Sequence, residues 1–216
     1  MKYLALNGSP RARTSNSTRI LGWLASAESS IQMSEIQYLA HVKKHEEILS
    51  AARDARGLIF CFPLYVDSMP AQQKRFFELM EREKETFRSM PVAFIIHSGF
   101  PESLQSESLA EYLEHFAGDI MGMKLLGVAI IAGSEALQMA PDEMFTRQKV
   151  ILQEMMRYIE AERRFPVDIN KRLNGARSLS RTRRILFSIN PFKHFYWHLR
   201  ASKHQHRVHL KAQPYR

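Results

Sequence analysis

The chain has 216 residues, 45% of them hydrophobic, which is enough for a real core and excludes wholesale disorder; the length suits one domain with an appendage, or two very small domains. A single cysteine, Cys61, excludes a disulfide framework, a cysteine zinc finger and an iron–sulfur cluster held by this chain alone. The net charge of +9 is unevenly divided. Residues 163–216 carry 14 Lys and Arg against one acid, Asp168, for +13, and residues 1–162 carry −4.

A mildly acidic body is therefore expected over 1–162 and a basic C-terminal extension over 163–216. No apolar run approaches the roughly 18 residues that span a bilayer. The opening MKYLALNGSP has too short an apolar part for a signal peptide, so the expected compartment is the cytoplasm.

In chain order, residues 2–6 (KYLAL) form a short apolar run that ends at Asn7-Gly8-Ser9-Pro10, the pattern of a buried strand and a tight turn. Thr14, Ser15, Asn16 and Ser17 are helix-capping types, and Ile20, Leu21, Trp23 and Leu24 follow at helical spacing. Residues 35–39 read as a second strand and 43–55 as a helix. GLIFCF, residues 57–62, suits a central strand buried on both faces. A helix over 70–85 places Phe76, Phe77 and Met80 on one stripe. PVAFIIH, 91–97, is a fourth strand. A helix over 103–117 turns Leu104, Leu109, Leu113 and Phe116 inward. KLLGVAII, 124–131, is a fifth strand, and a long helix over 141–162 carries Met144, Ile151, Met155 and Ile159.

This alternation predicts an α/β fold: a three-layer sandwich with a five-stranded parallel sheet in the order 2-1-3-4-5, the flavodoxin-like arrangement, followed by a basic helical extension. Ligands of such a sheet bind outside the carboxyl ends of its strands. Three loops converge there. In the first, Gly8, Ser9, Arg11 and the Ser15-Asn16-Ser17 turn offer a close backbone, hydroxyls and a helix N-terminus, which is chemistry for a terminal phosphate; a plain turn with a helix cap fits the same residues. It lacks the lysine of a P-loop and the three glycines of a dinucleotide fingerprint. In the second, Pro63-Leu64-Tyr65-Val66-Asp67-Ser68-Met69-Pro70, exposed apolar side chains between two prolines call for a flat apolar cover. In the third, His97-Ser98-Gly99-Phe100, Gly99 lets a ring approach, Phe100 can cover it, and His97 either donates to a ligand or satisfies the backbone at a strand end.

Strand-GSPR-helix, a strand ending in PLYVDSMP and a strand ending in HSGFPE together resemble the NAD(P)H-dependent FMN reductase and NAD(P)H:quinone oxidoreductase group of the flavodoxin-like superfamily, over about residues 1–160. The resemblance implies non-covalent FMN, with NAD(P)H as co-substrate and a quinone, flavin or similar small molecule as acceptor. It implies that Ser9, Arg11, Ser15, Asn16 and Ser17 hold the phosphate. Pro63, Leu64, Tyr65 and Val66 would line the ring and ribityl chain, and Ser98, Gly99 and Phe100 would close the other side. His97 would stand near the ring edge. It also implies a homodimer. The alternative is a flavodoxin-like electron carrier or binding module docked by its tail.

Cys61, between Phe60 and Phe62, reads as a buried thiol. His41 and His45 lack the further ligands of a zinc site. In the extension, basic residues interleave with Phe, Tyr and Trp. Residues 176–211 therefore suit packing on the body or a dimer mate, or an anionic membrane surface at which the protein sits peripherally, with nucleic acid ranked below these.

Overall fold

A strand buried on both faces must be apolar at every position, and in this chain the two parities of each strand serve different cores. In the computed structural model, which describes residues 2–30, 32–138, 140–174, 177–182 and 185, the strands are β1 (Tyr3–Asn7), β2 (Gln37–Tyr38), β3 (Gly57–Pro63), β4 (Pro91–His97) and β5 (Lys124–Ile131). All pair in parallel, in the order β2-β1-β3-β4-β5, as expected from the alternation of elements. Leu4, Leu6, Leu58, Phe60, Phe62, Val92, Phe94 and Ile96 face one core, which they share with α2 (His45–Arg53), α3 (Ala71–Glu81) and α5 (Glu107–His115). Tyr3, Ala5, Ile59, Cys61, Ala93 and Ile95 face the other, against α1 (Asn16–Ala25) and α6 (Thr146–Glu160). The side-chain period of two thus sorts each strand between two helical layers.

Several elements differ from the sequence expectation. The second strand shrinks from 35–39 to two paired residues. Upstream of it the Ser34 side chain serves β1 instead, accepting from Ala5 N at 3.1 Å. The helix expected over 70–85 breaks after Glu81 and resumes as α4 (Lys84–Phe87). The helices expected at 103 and 141 open with 3-10 turns, Ser103–Ser106 and Asp142–Phe145. Those turns shift the phase, so Leu104 and Met144 (71% exposed) point outward rather than into the core.

The first compact unit runs from Met1 to Ser178, past the charge boundary at 162. Phe165, Ile169 and Leu173 are buried against β5 and α6. Gly127 (φ +146°) makes room: a Cβ there would stand 2.7 Å from the Phe165 ring. The helix α7 (Ile169–Asn174) covers the open edge of β5. Asn170 Oδ1 accepts from Ile130 N at 2.8 Å while its Nδ2 donates to Val128 O at 3.2 Å. Four residues on, Asn174 repeats this with Ala132 N (2.7 Å) and Ile130 O (2.8 Å). Two carboxamides one helical turn apart so stand in for a sixth strand and satisfy the edge. The second unit, Leu179–Arg216, holds few described residues, and the expectation of a helical, anion-binding segment over 176–211 lies almost wholly outside them.

Candidate functional site

β1, β3 and β4 are neighbours, so their carboxyl-end loops meet. Main-chain bonds stitch them together: Gly8 N donates to Cys61 O (3.0 Å), Leu64 N to His97 O (2.8 Å), Ser98 N to Ile131 O (3.0 Å) and Ser134 N to Ser98 O (2.8 Å).

In the first loop the organiser is Asn7, fully buried at the end of β1. Its Oδ1 accepts from Ser9 N at 2.8 Å, an Asx turn. Its Nδ2 donates to Ser15 Oγ (3.0 Å) and Thr18 Oγ1 (2.9 Å). Ser15 caps α1, accepting from Thr18 N, and itself donates to Ala12 O at 2.6 Å. Ala12 takes a left-handed φ of 44° to complete the turn. The N–H groups of Asn16 and Ser17 meet no backbone carbonyl among the described residues and are left for an anion. Beside them Arg11, Arg13, Ser15, Asn16 and Arg19 line an open cleft of about 400 Å³. Arg19 itself is tied down by Asp142 and by the carbonyls of Leu137 and Ala140.

Ser17 points the other way, into the protein. Its Oγ is hydrogen-bonded to His97 Nε2 at 2.8 Å. The other imidazole nitrogen, His97 Nδ1, is bonded to Ser134 Oγ at 3.1 Å, and Asn16 Nδ2 donates to Ser134 O at 2.7 Å. The imidazole is buried with both nitrogens engaged, so it has no atom free to turn toward a ring edge. Burial pushes its pKa down to about 3, and it is neutral at ordinary pH. Burial likewise pushes the Cys61 thiol up, out of the range of thiolate chemistry.

The second and third loops have the opposite character. Tyr65 and Ser68 exchange main-chain bonds of 2.8 and 3.1 Å around a two-residue turn in which Val66 (φ 48°) and Asp67 (φ 57°) are both left-handed. That turn prefers Asn and Gly, and a β-branched residue in it is strained by about 1–3 kcal/mol. Val66 is also 96% exposed, whereas Leu64 is buried beneath it, against the expectation of an exposed leucine. Across the crevice Phe100 is 49% exposed and Gly99 meets only the Glu135 side chain, at 3.6 Å from where a Cβ would stand.

Four residues have buried polar side-chain atoms with no hydrogen-bond partner among the described residues: Ser98 (Oγ), Gln73 (both carboxamide atoms), His45 (Nδ1) and Ser106 (Oγ). Each such orphan costs about 1–3 kcal/mol. A Cβ on Gly8 would stand 2.1 Å from Gln73 Oε1, so the first loop closes onto Gln73 only because residue 8 is glycine. The donor set fits FMN: free N–H groups and Arg11 at a helix N-terminus, exposed apolar side chains of Tyr65, Val66 and Phe100, and unsatisfied polar atoms in the same loops and helix start. Among the described residues no cluster of His, Cys, Asp or Glu could hold a metal, and no helix is long and apolar enough to cross a membrane.

The sequence expectation places Asn7 in the first loop without a role of its own and gives none to Gln73 or Ser134. Asn7 carried a signal, a polar residue closing an apolar run before Gly-Ser. Gln73 carried another, since it shares the helical stripe of Phe76, Phe77 and Met80. Ser134 carried none.

Solved structures share the fold. The NADPH-quinone reductase of P. pentosaceus is 18% identical, with a TM-score of 0.56 over 72% of this chain and 97% of that one. General stress protein 14 of Treponema denticola, in complex with FMN, is 12% identical, with a TM-score of 0.57 over 76% and 100%. The FMN-dependent NADH-azoreductase of Bacillus anthracis is 15% identical, with a TM-score of 0.53 over 74% and 99%. No curated protein matches the sequence. At these identities the structures attest the fold alone, but the family model of NADPH-dependent FMN reductases matches residues 1–138, most of the chain and all three loops. The chain therefore belongs to the NADPH-dependent FMN reductase family and is a flavin-dependent NAD(P)H oxidoreductase with FMN as its cofactor.

Proposed function

We propose that this oxidoreductase reduces a small diffusible acceptor, a quinone or a free flavin, at the expense of NAD(P)H. The observation that carries the reading is the pairing of a finished anion cradle with exposed apolar side chains at the carboxyl end of the sheet. FMN, when bound, supplies the two-electron redox chemistry. In this reading Arg11, Ser9 and the N–H groups of Asn16 and Ser17 hold the phosphate, while Ser15 and the Ser17 hydroxyl shape the cradle from behind. Pro63, Leu64, Tyr65 and Val66 form one wall of the ring site, and Ser98, Gly99 and Phe100 the other. His97 acts through Ser17 and Ser134, as a positioning residue. The open wall beside Val66 and Phe100 leaves room for a flat acceptor or nicotinamide to stack, and it offers the apolar surface on which a second copy would close a homodimer.

The test is an absorbance spectrum of protein reconstituted with FMN and desalted, before and after anaerobic NADPH. The expected result is a retained flavin band that bleaches. A retained band that stays would leave an electron carrier, and loss of the flavin on desalting would overturn the reading.

A further inference from the structure

The buried stripe of α3 consists of Gln73, Phe76, Phe77 and Met80, and Gln73 is its one polar member. It is fully buried, and neither its Nε2 nor its Oε1 has a partner among the described residues. A leucine or methionine at this position would fill the same space at no desolvation cost, so stability alone does not account for a carboxamide here. Its location does suggest a use. Oε1 lies against the α-carbon of Gly8, and neighbouring Gln72 donates from Nε2 to Gly8 O at 3.4 Å. Gly8 lies between the Asn7 hub and Ser9 just after β1, and it has no side chain to stand between the loop backbone and the carboxamide.

We propose that Gln73 is a cofactor-binding residue that reaches past Gly8 to the ribityl hydroxyls of FMN; this rests on the flavin reading above. The chemistry selects that part of the molecule. A carboxamide presents a donor and an acceptor, and both are satisfied only by groups that donate as well as accept. Each ribityl hydroxyl does so. A phosphate only accepts and would leave Oε1 orphaned. The ring is expected at the second and third loops, beyond Gly8. Rotation of the terminal carboxamide torsion, which is soft, changes its hydrogen-bonding direction without moving α3.

The experiment is a pair of titrations on wild type and Gln73→Leu, following the quenching of FMN and of riboflavin fluorescence, with thermal unfolding of the flavin-free proteins alongside. Riboflavin keeps the ribityl chain and lacks the phosphate. The expected result is a loss of about tenfold in affinity for both flavins by the same factor, with the flavin-free variant melting about 5 °C higher because the orphaned group is gone. Unchanged affinity for both flavins would overturn the proposal and leave Gln73 a group hydrated by buried water. A loss confined to FMN would overturn the ribityl assignment in favour of the phosphate. Should Gln73→Leu fail to fold, Gln73→Met and Gly8→Ala, whose new Cβ displaces the carboxamide, are expected to show the same paired loss. Failure of wild type to bind either flavin would instead sink the flavin reading itself.

Discussion

The two ends of the crevice are built in opposite ways. Around α1, Asn7, Ser15, Ser17, His97 and Ser134 bond to one another, and the side chains are used up in holding the main chain. Across the sheet, Tyr65, Val66 and Phe100 are exposed, and the turn that carries Val66 is strained. In the proposed function the difference follows from what each end would bind. A phosphate is held best by main-chain N–H groups fixed in advance, because a rigid dipole array needs no reorganisation when charge arrives. A flat ring is held by apolar surface, which cannot be satisfied until the ring is present.

Acid should act on the first end and spare the second. His97 has a folded pKa near 3 and an unfolded value near 6.5. Between them the unfolded chain binds a proton that the folded chain refuses. The stability this group contributes is therefore full above pH 6.5 and falls as pH drops toward 3, by about 1.4 kcal/mol per pH unit. Urea unfolding of wild type and His97→Gln across that window is expected to show a shallower slope in the variant; parallel slopes would mean that the imidazole is not buried neutral.

Asn7→Ala attacks the same end without a titration. It strands Ser9 N–H and removes the donations to Ser15 and Thr18, so a loss of about 3 kcal/mol and failure to retain FMN are expected. An unchanged urea midpoint would show that the loop holds without its hub. At the other end the effect has the opposite sign. Val66→Asn suits the left-handed turn and should stabilise the protein by about 1 kcal/mol, read as a rise in melting temperature, while stripping apolar surface from the ring wall. No rise would mean that Val66 is unstrained.

Much of the candidate site is legible in the sequence because Gly8, Ser9, Ser15, Asn16, Tyr65 and Phe100 sit in loops bounded by unmistakable strands. Their roles were less legible. Ser17 reads as one more hydroxyl in a capping run, yet helical phase turns it inward to His97, 80 residues away. Leu64 reads as exposed, yet its parity places it in the core below Val66. Gln73 reads as a polar residue in the first turn of a helix, and only its phase with Phe76 and Phe77 reveals burial.

By itself the sequence determined the strands, their parallel pairing and their order, because hydrophobic period and crossover length are local properties of adjacent residues. The tertiary structure decided three things. It cut the second strand to two residues. It ended the first compact unit at Ser178 rather than 162, where Asn170 and Asn174 satisfy the edge of β5 despite the basic charge around them. It also chose the partners of Ser17, His97 and Ser134. These depend on which distant loops converge and which backbone groups remain unpaired once the sheet has formed, and no local pattern encodes that.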